Sequence, residues 1–136
     1  MEKTFNITYQ FNAGISAEQL SAVFDASGIR RPTDDLQRLQ RMIDHADILL
    51  TAWEQEKLIG VARAITDYSY CCYLSDLAVD QDHQKKGIGK ELVRLLQQEI
   101  GDEVTLVLLA SPIAMEYYPN IGFEKINNGF KILRKR

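Results

Sequence analysis

Between Tyr70 and Ala110 the hydrophobic pattern changes period twice, which few architectures accommodate. The run from Tyr70 to Val79 reads as a long strand. After a polar loop, residues 87–100 set Ile88, Leu92, Leu95, Leu96 and Ile100 on one helical stripe. VTLVLLA, at 104–110, is then an unbroken apolar run of strand length, the pattern of a buried strand. A strand, helix, strand crossover results.

The flanking segments extend this unit into a sheet. Residues 4–11 alternate Phe5, Ile7, Tyr9 and Phe11, the period of a half-buried strand. Ser16 and Gln19 have the spacing of a capping box, Leu20, Val23 and Phe24 follow at helical spacing, and Gly28 is the natural stop. A second helix is expected from Thr33, with Asp34 and Asp35 on its dipole and Leu36, Leu39 and Ile43 on one face. ILLTAWE, LIGVARAIT and the run to Val79 form an antiparallel meander. Past 110, a short helix from about Ser111 to Asn120 leads to two final strands, around Phe123 and from Phe130 to Leu133, joined at Asn127, Asn128 and Gly129. The expected fold is α/β of the α+β type: a mixed, mostly antiparallel sheet of about six to seven strands, flanked by about four helices. At 136 residues, with no linker-like stretch, residues 1–136 read as a single domain.

Charge and composition exclude several classes of function. A net charge of −3 leaves no broad basic surface for nucleic acid. No apolar run approaches the roughly 20 residues of a membrane span, and the N-terminus carries no apolar signal core, so a cytoplasmic location is expected. Cys71 and Cys72 are adjacent, would point to opposite faces of a strand, and are expected to be reduced, buried thiols. His83 has no second metal-type ligand at useful spacing, so no metal site is expected and the residue reads as solvated or as a phosphate neighbour.

The chemistry concentrates at the start of the third helix. First helical turns favour Asp or Glu, yet this one carries Lys85, Lys86 and Lys90 around Gly87 and Gly89, with no capping side chain immediately before it. An anion such as phosphate or pyrophosphate would complete it, because glycines let a phosphate approach the backbone and first-turn amides supply donors. A Walker A loop fails, since Glu91 follows Lys90 and Gln84 stands where its first glycine belongs. The dinucleotide fingerprint fails as well, because Leu92 stands where its last glycine belongs.

QKKGIG, Gln84 to Gly89, preceded by LAVD, Leu77 to Asp80, resembles the signature of the GCN5-related N-acetyltransferases (GNAT). The resemblance extends over residues 58–123, with LIGVARA similar to the family's third strand and SPIAMEYYPNIGF similar to its NxxAxxFYxxxGF segment. Ser111 stands in place of the frequent Asn, and Pro119 follows Tyr118 where a charged or polar residue is usual. IRRPTDDLQRLQRMI and ARAITD look like a bacterial and plastid branch of the family.

The resemblance implies a GNAT-like domain that transfers acetyl from acetyl-CoA to a primary amine by direct attack in a ternary complex, with a small molecule or a protein as acceptor. It implies that the backbone of Leu77, Ala78 and Val79 pairs with the pantetheine arm. The amides of Gln84, Lys85, Lys86, Gly87, Ile88, Gly89 and Lys90 would hold the pyrophosphate, and Ser111 would contribute to the same cofactor site. Tyr118 matches the tyrosine that protonates the departing thiolate and also touches the cofactor, while Tyr117 reads as packing. Asp76, just before the LAV run, is a candidate base for the amine, with a strand-edge cap as its other reading. Arg30, Arg31, Asp67, Tyr68 and Tyr70 are candidates for the acceptor side. The rival expectation is a non-catalytic acyl-CoA-binding sensor or interaction module. FKILRKR could support homodimer contacts, although such edge charges also block pairing.

Overall fold

The computed structural model describes residues 6–136. The sheet has five strands in the order β1-β2-β3-β4-β5. Strands β1 (Ile7–Phe11), β2 (Ile48–Glu54), β3 (Lys57–Thr66) and β4 (Cys71–Val79) form an antiparallel meander. After helix α3 (Ile88–Ile100), β5 (Thr105–Val107) returns parallel to β4, completing the expected crossover. Phe5 lies outside the described residues.

Local chemistry sets the helix ends. The hydroxyl of Ser16 accepts from the amide of Gln19, whose side chain accepts from the Ser16 amide, and α1 (Ala17–Ser27) ends at a left-handed Gly28. Helix α2 (Leu36–Asp44) starts three residues later than the sequence suggests. Thr33 and Asp34 are spent in a turn closed from the Asp35 amide to the Pro32 carbonyl, and Asp35 becomes the cap by accepting from the Arg38 amide.

The sheet is covered on both faces. Leu20, Val23 and Phe24 of α1 and Leu39 of α2 pack with Leu49, Val61 and Ala78 on one side. Ile88, Leu92, Val93 and Leu96 of α3 pack with Leu50, Ile59, Ala62 and Leu74 on the other. A bulge in β4 serves this arrangement: Leu74 pairs with Ala64 and Asp76 with Arg63, so Ser75 is the extra residue. The bulge shifts the alternation by one, and Leu77 and Val79 thereby join Cys72 and Leu74 toward α3, while Ala78 packs toward α1.

The C-terminal part departs from expectation. Residues 123–136 form no strand, and β5 spans three residues rather than the seven of the apolar run at 104–110. Phe130 and Ile132 are 99% and 100% exposed, although their alternation is that of a strand. The physical reason is the partner: a three-residue β5 offers too short an edge, and Lys131, Arg134, Lys135 and Arg136 add like charges to any pairing there. The sheet accordingly has five strands, with a fourth helix, α4 (Tyr117–Asn120), reduced to a single turn.

Candidate functional site

Strand β4 is paired along both edges only at its start. Its ladder with β5 covers Cys71, Cys72 and Tyr73, whereas its ladder with β3 runs on to Val79. From Leu74 onward the β5 side of the strand is open, and Leu77, Ala78 and Val79 lie on that open stretch, where the backbone groups not engaged by β3 or by the Gln84 side chain are available to an added extended chain. The opening follows from the brevity of β5 together with the bulge at Ser75.

The open edge leads to the start of α3. A turn over Gln81–His83 carries the chain from Val79, and the Gln84 side chain donates to the Val79 carbonyl at 2.8 Å, tying this loop to the strand. Gly87 is the N-cap residue at φ +80°, the left-handed region that glycine occupies without strain, and no side chain caps the helix. The helix's first internal bond runs from the Glu91 amide to the Gly87 carbonyl, which leaves the earlier first-turn amides, of Ile88, Gly89 and Lys90, without helical partners. Lys85, Lys86 and Lys90 are exposed around them, and a Cβ on Gly87 would meet nothing within 4 Å. Free amides, positive side chains and open space together suit an anionic group. Ile88 is buried in the core and anchors the helix start.

Gly89 is buried for a different reason: a Cβ there would collide with the Tyr117 hydroxyl. Tyr117, expected to be a packing residue, therefore brings a polar group to the α3 start, and burial raises its pKa. The signal in the sequence was the second glycine, whose missing side chain makes room for that hydroxyl. Tyr118 packs edge-on against Phe123, with ring centres 5.5 Å apart, and against Tyr117 at 5.2 Å. Burial, with a contribution from Tyr117, raises its pKa, while the positive charge of Arg31 pulls the other way. Ser111 heads the turn over Pro112–Ala114, exposed and making no cap hydrogen bond.

Asp76 is 1% exposed. One carboxylate oxygen accepts from Nε of Arg31 at 2.5 Å and the other from Nε of Arg63. The same arginines reach the bulge: Arg31 donates to the Ser75 carbonyl at 2.8 Å, and Arg63 to the Ser75 hydroxyl at 2.9 Å. The loop after α1 is thus bolted to β3 and β4 through one buried carboxylate. His83 is buried rather than solvated, with Nε2 3.2 Å from Glu54; its Nδ1 is a buried polar atom without a hydrogen-bond partner among the described residues.

Of the acceptor-side candidates, Arg30 and Arg31 line a cavity of about 780 Å³ beside Tyr73 and Ser75. Asp67, Tyr68 and Tyr70 sit apart from it in the β3–β4 turn, where the Asp67 carboxylate accepts the amides of Ser69, Tyr70 and Cys71 and is held below its usual pKa by them. A second cavity, of about 850 Å³, lies between β5 and the C-terminal segment; Tyr118 reaches it, while residues 77–79 and 84–90 do not.

Comparison with known proteins agrees with this geometry. A family model described as an acetyltransferase (GNAT) domain matches residues 15–131. The chain is 30% identical over 141 residues to a probable acetyltransferase, TAP2, of Glycine max, an alignment covering 92% of this chain and 54% of that protein. The chain spans about half the length of that relative. A crystal structure of a putative acetyltransferase from Deinococcus radiodurans superposes with a TM-score of 0.76 at 26% identity, covering 95% of this chain and 88% of that one. The aminoglycoside N-acetyltransferase AAC(6')-Iy in complex with CoA shares the fold, with a TM-score of 0.73 at 16% identity over 100% and 99% of the two chains. With a family model matching across both helical faces, the open strand and the uncapped helix start, this chain belongs to the GNAT acetyltransferases.

Proposed function

We propose that this chain transfers an acetyl group from acetyl-CoA to a primary amine by direct attack in a ternary complex. The observation that carries the reading is the unpaired edge of β4 at 77–79 running toward an uncapped helix start at Gly87 and Gly89. The residues present fit the donor: an extended arm can add to the strand edge through main-chain bonds, and a pyrophosphate can take the free amides and the charge of Lys85, Lys86 and Lys90. Acetyl-CoA supplies a thioester, an acyl group already activated for attack by nitrogen.

The chain's own residues do the rest. Backbone amides at the open edge polarise the acyl carbonyl. Tyr118 donates its phenolic proton to the leaving sulfur, and its raised pKa keeps that proton in place at neutral pH. Asp76, with both oxygens engaged by guanidiniums, acts as a positioning residue that fixes the Ser75 bulge, and the proton of the amine leaves through water.

The test pairs binding with turnover. Gly87→Val places a branched side chain in the open space over the helix start, and the left-handed backbone costs it about 1–2 kcal/mol. A folded variant that no longer binds CoA by calorimetry supports the reading; unchanged affinity sinks it. Release of free CoA only when an amine is supplied supports transfer, whereas tight binding with no turnover on any amine supports a non-catalytic acyl-CoA sensor.

A further inference from the structure

Six of the chain's eight arginines line one cavity, in a protein of net charge −3. Arg30 and Arg31 come from the loop after α1, Arg38 from α2, Arg63 from β3, and Arg134 and Arg136 from the C-terminal segment. Among the described residues no Asp or Glu lines the cavity. Asp76 pairs with both Arg31 and Arg63 from beneath and offsets one of their two charges; the Arg38 guanidinium donates to the main-chain oxygen of Arg136 at 3.4 Å, and Arg30, Arg134 and Arg136 join no side-chain ion pair among the described residues. Gathering guanidiniums that outnumber their counter-charges, from four parts of the chain, is unfavourable unless an anion shares the space, and the planar guanidinium suits a carboxylate best through two parallel hydrogen bonds.

Apart from Ser75 the remaining wall is mainly apolar, with Ile29, Met42, Tyr73 and Leu109, and the volume of about 780 Å³ is that of a small-molecule site. Its position bears on the reaction. Ser75 and Tyr73 precede Leu77 on β4, so at about 3.3 Å per residue the cavity opens roughly 7–13 Å along the strand from Leu77, away from the α3 start. A donor held by its pyrophosphate at Gly87 and by its arm along 79 to 77 directs its reactive end toward this cavity.

We propose that the acceptor is a small amine carrying a carboxylate next to an apolar body, of the amino-acid type, with the arginines of this cavity binding the carboxylate. The inference rests on the acetyl-transfer reading. The neutral amine forms a C–N bond to the acyl carbon, the C–S bond breaks, the sulfur takes the Tyr118 proton and the nitrogen loses its proton to water. The carboxylate is unchanged throughout.

Matched probes that differ only by the carboxylate test it: L-phenylalanine with phenethylamine, L-leucine with isoamylamine, and L-lysine with cadaverine. CoA release is followed for the full chain, and calorimetry measures binding of each amino acid independently of turnover. The expected result is a kcat/KM for the carboxylated member roughly 10- to 100-fold above its partner. That ratio should collapse toward one in Arg38→Ala and Arg30→Ala, with loss of amino-acid binding in the same folded variants. CoA release that is equal or faster with the decarboxylated amines, or amino-acid binding indifferent to both substitutions, overturns the acceptor inference while leaving acetyl transfer intact. Absence of CoA release with every amine overturns both.

Discussion

Tyr118 and Tyr117 are neighbours in sequence with different surroundings. Tyr118 stacks edge-on with Phe123, and Tyr117 directs its hydroxyl at Gly89. Tyr118→Phe keeps the ring packing and deletes only the proposed donor, so turnover should fall on the order of 10²- to 10⁴-fold with CoA affinity and stability nearly unchanged. A parental rate in the folded variant would remove the donor role. The neutral phenol is favoured in the folded state, so its contribution to stability is fully present below the ordinary pKa of ~10 and is lost as pH rises through the raised value. Tyr9, Tyr68 and Tyr117 are shifted upward as well, so tyrosinate absorbance should show several late-titrating groups, one of which Tyr118→Phe deletes. At Gly89 a methyl group collides with the hydroxyl of the half-exposed Tyr117, whose ring must swing aside, so Gly89→Ala should lose most of the roughly 1 kcal/mol that alanine brings to a helix, and adding Tyr117→Phe should recover it. Urea unfolding of the four proteins of that cycle decides the matter; additive effects would mean that the hydroxyl is elsewhere.

Among the elements, β4 carries most of the functional geometry. Its first three residues hold β5, its bulge holds the arginines, and its last three leave an edge open. Asp76→Asn would leave two guanidiniums around a neutral amide, at a cost of about 3 kcal/mol in unfolding free energy. The urea midpoint should drop with an unchanged slope. A loss within about 0.5 kcal/mol, the size of an ordinary surface substitution, would show that the carboxylate does not bolt the α1–α2 loop to the sheet. Helix α3 illustrates how an element's sequence reveals its partner. Its stripe of Ile88, Leu92 and Leu96 fixes the buried face, while the lysines at its start put positive charge at the positive end of the helix dipole and do nothing for the helix itself.

At the scale of the whole molecule, two packed faces enclose the sheet and the C-terminal segment beyond Phe123 stands outside both. Residues 123–136 form no strand and leave Phe130 and Ile132 exposed. Their amides should exchange with solvent deuterium rapidly, whereas those of β2 and β3 should be strongly protected. Slow exchange at 130–133 would mean that this segment has found a strand partner, and it would redraw the cavity to which Arg134 and Arg136 contribute.

The elements themselves were legible because each is specified within a few residues. The capping box at Ser16, the stop at Gly28, the α3 stripe and the QKKGIG helix start are all local statements about hydrogen bonds and periodicity. Cys71 and Cys72 fell on opposite faces for the same reason, but only Cys72 is buried; Cys71, expected to be buried as well, is exposed because it lies on the β4 face that no helix covers at that end of the strand. What tertiary structure decided is whatever needs a distant partner. Phe130 to Leu133 alternate like a strand but stay unpaired, since a strand forms only against an edge long enough to receive it. Asp76 read in the chain as a candidate base or a strand-edge cap, and only the fold brings Arg31 and Arg63, 45 and 13 residues away, to its two oxygens. His83 was unremarkable until Glu54 closed over it. The arginine cavity draws on positions from 30 to 136, a convergence with no spacing to mark it in the chain.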